Sequence, residues 1–289
     1  MNRALLFAPS GKAADRTLRA IGLVAVILPL AALVVLVATT IAQGAGRLDG
    51  DFFSGLPSRK AELAGIGPAL AGTAMLMVLT AIIAIPIGVG AALWLEEYAK
   101  PGRFMNLVEL TIATLAGVPS IIYALLALEV FVRVLGMGRS ILAGAATLSL
   151  LILPMIVMAS REALRTVPKH LREASFALGG DRWMTLRRIV LPLAMPGVLT
   201  GVILGLARAI GETAPLITIG ALTYVAFVPD SLSSAFTALP IQIFNWISRP
   251  QAGFHVAAAA AILVLLAVML VMNGLAIWLR SRLQRRVQA

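Results

Sequence analysis

Residues Arg161 to Pro196 read REALRTVPKHLREASFALGGDRWMTLRRIVLPLAMP, a polar connector of unusual length for so apolar a chain. Leu171, Ala174 and Leu178 recur in it at helical spacing, which predicts an amphipathic helix in its first half. The glycine pair that begins at Gly179 ends this helix, because glycine accepts the positive φ of a sharp turn. The connector is therefore predicted to carry a short helix outside the apolar segments.

The second half of the connector predicts another short helix. Trp183, Leu186 and Ile189 are its apolar positions, and Leu191-Pro192 follows at the entrance to the next apolar run. Short amphipathic helices of this kind lie on a membrane surface or dock into a groove of a partner protein. Periodicity alone leaves both possibilities open.

Apolar residues make up 60% of the 289 residues and charged residues only 13%. One water-soluble core cannot bury so much apolar surface, so the chain is predicted to be an all-α membrane protein. Six apolar runs approach the ~20 residues with which a helix crosses the hydrocarbon layer, and their continuity argues against a strand barrel. The runs are Ile21 to Ala42, Ala69 to Leu95, Leu107 to Leu135, Ile141 to Ala159, Gly197 to Leu222 and Phe254 to Leu279.

Lysine and arginine are distributed unevenly about these six spans. Of the 24 basic residues, from Arg3 to Arg286, 17 fall on the side that holds both termini, six on the other side and one within a span. Because short basic loops stay in the cytoplasm, both termini are predicted to be cytoplasmic. The predicted organisation is a cytoplasmic tail (1–20), a peripheral first helix (21–42), a permease core (69–279) that includes the connector (161–196), and a basic cytoplasmic tail (280–289).

The net charge of +11 does not indicate a nucleic-acid binder. The basic residues flank apolar spans, where they face anionic membrane lipid. Cysteine is absent, which excludes disulfides and thiolate metal sites, and the two histidines are too far apart to suggest a metal site. The one Gly-Lys pair, Gly11-Lys12, lacks the glycine of a phosphate-binding loop, so the sequence contains no ATPase motif.

Two spans contain helix-breaking residues. Pro86, with Gly88 and Gly90, is predicted to interrupt the second span, and Gly117-Val118-Pro119-Ser120 is predicted to interrupt the third. Broken helices persist in membranes where protein or a water-filled cavity satisfies the freed backbone groups. A plain proline kink and a pathway-lining role are equally compatible with both sites.

Four acidic or basic positions near the span ends have simple interpretations. Glu96 and Glu97, close to Lys100, are predicted to form a solvated helix end. Glu129 is predicted to pair with Arg133, which lies one helical turn later. The alternative for Glu129 is a second polar group in a transport pathway, which its place near the outer end of the third span disfavours.

The fifth run contains the stretch RAIGETAP, Arg208 to Pro215. At 1.5 Å per residue from Gly197, Arg208 lies ~17 Å deep, and Glu212 lies one helical turn further on. An arginine near the middle of a membrane usually faces a cavity or a substrate path, and an ion pair that only fixes helix packing is the alternative. A guanidinium held by a carboxylate can grip two oxygens of a tetrahedral oxyanion, so a small anion is the predicted substrate.

The connector resembles the EAA signature of ATP-binding-cassette importer permeases. That signature reads E-A-A, three residues, G, nine residues, I, one residue and L-P, and the connector departs from it only in a serine for the second alanine. The matching residues are Glu173, Ala174, Ser175, Gly179, Ile189, Leu191 and Pro192. The resemblance implies a type I importer permease fold of six transmembrane helices with a cytoplasmic coupling helix, on which Glu173 contacts the ATPase and Gly179 forms the turn. It also implies that a partner ATPase binds ATP and Mg, and that this chain binds no cofactor.

The run Arg208 to Leu216 resembles the R-A-x-G-E-T-A-P-L run of permeases of the phosphate-specific transport system. Its last three residues are typical of the PstA family and not of the PstC family. Further similarities lie at Val118 to Tyr123 and at Ala238-Leu239-Pro240 with Trp246. The resemblance implies import of inorganic phosphate past Arg208 and Glu212. Ser120 and Thr213 are our candidates for additional hydroxyl donors along this route.

The same resemblance implies three kinds of partner in a bacterial inner membrane: a homologous second permease, a pair of ATP-binding subunits and an extracytoplasmic phosphate-binding protein. The segment Ala221 to Pro250, with a short helix at Phe236 to Trp246, either forms a docking lip for the binding protein or only packs. Two other functions stay open: a permease for phosphonate, molybdate or sulfate, and a membrane enzyme or sensor subunit that uses Glu212. The latter would need a second catalytic group in the spans, and the sequence offers none.

Overall fold

The computed structural model describes the backbone of residues 12–221 and 224–288, and the side chains of residues 15–221 and 224–282. Arg3, in the predicted N-terminal tail, and Leu222, the predicted end of the fifth span, lie outside the described residues. Within the described ranges all regular structure is helical, as the sequence predicts. The α-helices are α1 Lys12–Gly44, α2 Gly50–Ser54, α3 Gly67–Leu93, α4 Arg103–Ala116, α5 Ser120–Ala127, α6 Ile141–Arg165, α7 Lys169–Ala177, α8 Arg182–Thr185, α9 Leu191–Gly211, α10 Ala214–Thr218, α11 Leu239–Ile247 and α12 Ala252–Gln288.

Among the described residues, five helical segments are long and apolar enough to cross a membrane, and α4 with the segment Ser120–Val134, which begins with α5, forms a sixth that is bent by 105°. The predicted six-span fold is therefore confirmed, provided that the bent pair counts as one span. α6 lies at the centre of the bundle, where most of its apolar stretch is buried between α3 and α9. Below, the end of the bundle that contains Arg165 and α7 is called the coupling end, and the end that contains Ile141 and α11 is called the distal end.

The break between α4 and α5 lies where the glycine-proline stretch predicts it. Pro119 has no backbone N–H, so it cannot donate the helical hydrogen bond to the Leu115 carbonyl. That carbonyl instead accepts from the Val118 N–H at 3.1 Å and from the Tyr123 hydroxyl at 2.8 Å. The side chain of Tyr123 thus satisfies a backbone group that the break leaves free, and the bend is much larger than a simple proline kink.

The predicted interruption of the second span is wrong. α3 continues through Pro86, and Gly88 is buried against α6. A Cβ atom on Gly88 would lie 2.7 Å from Cγ2 of Ile156, so this glycine permits close helix packing and does not break the helix.

The fifth span also differs from the prediction, because α9 ends at Gly211 and does not continue toward Leu222. Glu212 has an extended backbone (φ −74°, ψ 123°), and the short helix α10 follows. Pro215 explains the break, since it cannot donate a hydrogen bond to the Gly211 carbonyl and its ring would collide with that carbonyl in a continuous helix.

The distal end is closed by α11 and the first turns of α12. The indole of Trp246 lies between the rings of Phe52 and Phe254, with ring centroids 6.1 and 6.5 Å apart. The N–H of Leu239 donates to the hydroxyl of Thr73 at 2.8 Å, which ties the start of α11 to α3. Most of the α11 surface is therefore buried by packing against the rest of the bundle.

Candidate functional site

Arg208 lies in the last turn of α9, and Glu212 is the first residue after that helix. The structure brings the two side chains together, with 3.4 Å between Nε of Arg208 and Oε1 of Glu212. The Arg208 side chain is 40% exposed and the Glu212 side chain 17% exposed. The C-terminal end of a helix carries partial negative charge, so the backbone of α9 also stabilises the guanidinium.

The packing of α9 against α6 fixes the depth of this pair in the bundle. Cβ atoms built on Gly197, Gly201 and Gly205 would meet Ala163, Ala159 and Ile156 in turn, which defines an antiparallel register. Continued by one turn, this register places Arg208 opposite the middle of α6. The side chain is thus near mid-height, as the distance from Gly197 predicts.

The break between α4 and α5 lies close to the break between α9 and α10. α5 packs against α10, and Tyr123 lies within electrostatic range of the Arg208 guanidinium. Ser120 begins α5 and Thr213 lies between α9 and α10, and both are partly exposed. Among the described side chains, the hydrogen bond of the Arg208 guanidinium goes to Glu212 and not to either hydroxyl.

Tyr123 is the residue at this site that sequence reasoning missed. In the sequence it is only the last residue of a motif, because its contact with the Leu115 carbonyl depends on the bend between α4 and α5. Tyr123 and Leu115 are eight residues apart, and no sequence signal pointed to their contact. Such a spacing has no meaning within a single straight helix, and only the bend makes the contact.

The coupling segment, defined here as residues 166–190, is shorter than the connector predicted at 161–196. α6 runs on to Arg165, and α9 already begins at Leu191. Ile189 lies in a π turn, Leu186–Val190, that leads directly into α9. Pro192 accounts for this irregular turn. It has no backbone N–H, so the chain lacks one helical hydrogen-bond donor just after the turn.

A glycine turn joins α7 to α8 as predicted. Gly179 has a φ of +85°, a conformation that residues with a Cβ rarely adopt. The N–H of Gly180 donates to the Ser175 carbonyl at 2.9 Å, which closes the turn. Asp181 then caps α8, since its Oδ1 accepts from the Met184 N–H at 2.6 Å.

Ser175, the one departure from the EAA signature, has a structural role. Its hydroxyl lies 2.8 Å from the hydroxyl of Thr185, and both residues are buried. The hydrogen bond fastens α7 to α8 across the glycine turn. An alanine at this position would leave the Thr185 hydroxyl without this partner.

Ser175→Ala is therefore expected to destabilise the coupling segment by about 1–3 kcal/mol, the cost of a buried polar group without a partner. The measurement is the melting temperature of the purified complex. Ser175→Ala combined with Thr185→Val removes both hydroxyls and should recover most of the loss. A double variant as unstable as the sum of the two single variants would contradict this assignment.

α7 presents an exposed surface at the coupling end. Glu173 and Ala174 are exposed in the middle of the helix, and Leu178 is 90% exposed at its end. Trp183 on α8 is exposed beside them. An apolar rim around a carboxylate on a short rigid helix is suited to a groove in a partner protein.

Glu96 and Glu97 do not form the solvated helix end that the sequence predicts. Glu96 pairs with Arg165, with 3.1 Å between its Oε2 and the Nε of the arginine, and Glu97 pairs with Arg172 of α7 at 2.9 Å. The predicted pair of Glu129 and Arg133 is present at 2.8 Å and is exposed to solvent. Among the described residues there is no group of three or more histidine, aspartate or glutamate side chains that could hold a metal ion.

In the part of the chain that the structure describes, six helical spans and a short helix held outside them by a glycine turn form the fold of ATP-binding-cassette importer permeases. The chain belongs to the family of binding-protein-dependent transport system inner membrane components, whose model matches residues 84–287. Members of this family are transport subunits of the inner membrane and not enzymes. This chain therefore works with an ATPase and a substrate-binding protein. The membrane-enzyme alternative is thereby set aside.

Relatives and solved structures agree with this assignment. The chain is 37% identical over 222 residues to phosphate transport system permease protein PstA 1 of Mycobacterium tuberculosis H37Rv, covering 77% of this chain and 71% of the relative. It is 32% identical over 273 residues to the probable ABC transporter permease protein YqgI of Bacillus subtilis, which covers 90% of this chain and 92% of the relative. A bacterial alginate ABC transporter has the same fold, with a TM-score of 0.64 at 16% identity over 91% of this chain and 93% of that chain. The MetNI methionine ABC transporter also has this fold, with a TM-score of 0.58 at 16% identity over 73% of this chain and 93% of that chain.

Proposed function

We propose that this chain is a permease subunit of an ATP-driven phosphate importer. The observation that carries the proposal is the pair of the partly exposed Arg208 and the largely buried Glu212 at mid-height, where two broken helices meet. The phosphate transport permeases among its relatives support phosphate as the anion. Transport past Arg208 is favoured over an ion pair that only fixes packing within this chain, because the helices of this chain leave the Arg208 side chain partly uncovered.

The geometry of the pair suits an oxyanion. The Arg208 Nε faces Glu212, and within the described residues its two terminal nitrogens have no hydrogen-bond partner. Those nitrogens can grip two oxygens of one phosphate, while the carboxylate fixes the guanidinium and compensates its charge when no anion is present. The hydroxyls of Ser120 and Thr213 are the proposed additional donors.

The proposed pathway is shared with a second, homologous permease. The Arg208 side chain is partly exposed on this chain, and apolar side chains of α4 and α5 such as Leu110 and Leu126 are exposed as well. A surface of this composition at mid-height needs a protein partner or lipid to cover it. Each permease would then contribute half of the lining.

The remaining partners follow from the two ends of the bundle. Both termini and the coupling segment are assigned to the cytoplasm, where Glu173 and its neighbours contact a dimer of ATP-binding subunits that holds ATP and Mg. An extracytoplasmic phosphate-binding protein docks at the distal end. Binding-protein docking and closure of the ATPase pair swing the spans between inward- and outward-facing states, and phosphate passes Arg208 on its way to the cytoplasm.

The test is the ATPase activity of the complete complex in lipid nanodiscs with its own binding protein. Phosphate is expected to stimulate hydrolysis several-fold, whereas a phosphonate, molybdate and sulfate are expected to leave it at the basal rate. Stimulation by one of these other oxyanions and not by phosphate would reassign the substrate and keep the architecture. A complex that responds to none of them would refute the anion pathway itself.

A further inference from the structure

A cluster of ion pairs joins the coupling segment to the transmembrane helices. We infer that this inner charge cluster transmits the movement of α7 to α4, and through the bend to the surroundings of Arg208. The inference rests on the proposed function only in that α7 is the element the ATPase moves. The inner charge cluster consists of Glu96, Glu97, Glu109, Arg161, Arg165 and Arg172.

The centre of the cluster links three helical elements. Arg161, near the end of α6, is largely buried and pairs with Glu109 of α4 and with Glu96 of the π turn after α3. Arg165, one turn further on, reaches the same two carboxylates, at 3.1 Å from Glu96 and 3.6 Å from Glu109. Two arginines of one helix therefore hold α4 and the end of α3 together.

The outer part of the cluster attaches α7. One Nη atom of Arg172 lies 2.9 Å from Oε1 of Glu97, and the guanidinium also donates to the carbonyls of Leu164 and Val167 at 3.0 and 2.7 Å. The Arg172 and Glu97 side chains are only 18% and 17% exposed. A displacement of α7 is thus applied directly to the ends of α6 and α3.

The π turn Trp94–Tyr98 explains how neighbouring glutamates serve different partners. The Ala99 N–H donates to the Trp94 carbonyl at 3.0 Å, five residues back, which widens the last turn after α3. Glu96 faces the two arginines of α6, and Glu97 faces Arg172 of α7. π turns of this kind inside helices are found mainly at functional sites.

The path from the cluster to Arg208 consists of contiguous contacts. Glu109 lies on α4, which ends at the 105° bend, and α5 beyond the bend packs against α10. α10 follows Glu212 after a single residue. Largely shielded ion pairs resist separation because an unpaired charge would be left in a poorly solvated site, so they transmit displacement better than exposed pairs.

The test is a double-mutant cycle on the pair that attaches α7. Glu97→Gln, Arg172→Gln and the double variant are compared in the complete complex, with Glu129→Gln, Arg133→Gln and their double variant as the matched exposed pair. The chain contains no cysteine, so Leu126→Cys gives it one labelling site on α5. The partner subunits are used in cysteine-free form, so that the complex carries this spin label alone. The measurement is the change in the label spectrum when ATP and vanadate trap the closed ATPase, and co-purification of the ATPase confirms assembly.

Glu97→Gln and Arg172→Gln are each expected to reduce the ATP-dependent spectral change at least ~5-fold, the lower end of typical allosteric coupling, with normal assembly. The double variant is expected to be no worse than either single variant, because both remove the same contact. The Glu129 and Arg133 variants should keep the full change. A normal spectral change in Glu97→Gln, or additive effects of the two substitutions, would overturn the inference. This readout needs no transported anion, so it stands even if phosphate is the wrong substrate.

Discussion

Arg208→Gln is expected to abolish phosphate uptake while the complex still assembles. Glutamine keeps a polar side chain of similar reach but loses the charge and the two-pronged grip on an oxyanion. Two hydrogen bonds from a charged donor contribute about 3–6 kcal/mol, so uptake should fall at least ~100-fold. The measurement is uptake of radiolabelled phosphate by cells that lack other phosphate importers, with co-purification of the ATPase as the check on assembly.

Two further variants test whether the charge or the planar shape of the Arg208 side chain matters and whether the effect is specific to this site. Arg208→Lys keeps the charge without the planar fork and should retain a small part of the uptake. Arg133→Gln removes an exposed arginine outside the proposed pathway and should transport normally. If Arg208→Gln carries phosphate at the normal rate, then Arg208 is a packing ion only, and the proposed pathway is wrong.

Glu173→Lys is expected to release the ATPase from the complex. Glu173 is exposed at the middle of α7, so its charge faces whatever binds there. Reversing a charge inside an interface places like charges together and costs several kcal/mol, enough to lower the affinity ~100-fold or more. The measurement is the amount of ATPase that co-purifies with the tagged permease.

Glu162→Lys is the matched control for this prediction. Glu162 is also exposed near the coupling end, but it lies on α6 and outside the coupling segment. The same charge reversal there should leave the ATPase bound. If Glu173→Lys retains the ATPase as well as Glu162→Lys does, then α7 is not the principal contact, and the coupling assignment carried by the EAA resemblance fails.

The two predictions rest on different parts of the molecule and fail separately. Loss of uptake in Arg208→Gln with the ATPase bound would locate the defect in the pathway. Loss of the ATPase in Glu173→Lys would locate the defect in assembly. The Ser175 and Thr185 variants then report whether the coupling segment must also be rigid, since they alter its internal hydrogen bond and leave Glu173 in place.

Features that depend on residues close together in the chain could be predicted from the sequence. The apolar runs locate the spans, because a helix must satisfy its own backbone groups in a membrane wherever it is built. Gly179 marks the turn after α7, since its backbone conformation is a local property. Arg208 and Glu212 are four residues apart, so their pairing needed no knowledge of the rest of the fold.

The consequence of each proline depended on tertiary structure. Pro119 breaks its helix as predicted, and Pro215 breaks α9 where a continuous span was predicted. Pro86 lies inside an unbroken helix, although glycines flank it just as they do at the other sites. A proline removes the same hydrogen bond in every case, and the packing of neighbours such as Ile156 against Gly88 decides whether the helix continues.

Long-range charge pairing was likewise invisible in the sequence. Glu96 and Glu97 meet arginines that lie 65 to 75 residues later in the chain, so the nearby Lys100 wrongly suggested a solvated end. The Tyr123 hydroxyl reaches the Leu115 carbonyl only because the chain bends between α4 and α5. The sequence by itself determined which segments enter the membrane and which local turns they contain. Only the tertiary structure decided which charges are shielded and paired, because burial and distance between helices arise from packing and not from neighbours in the chain.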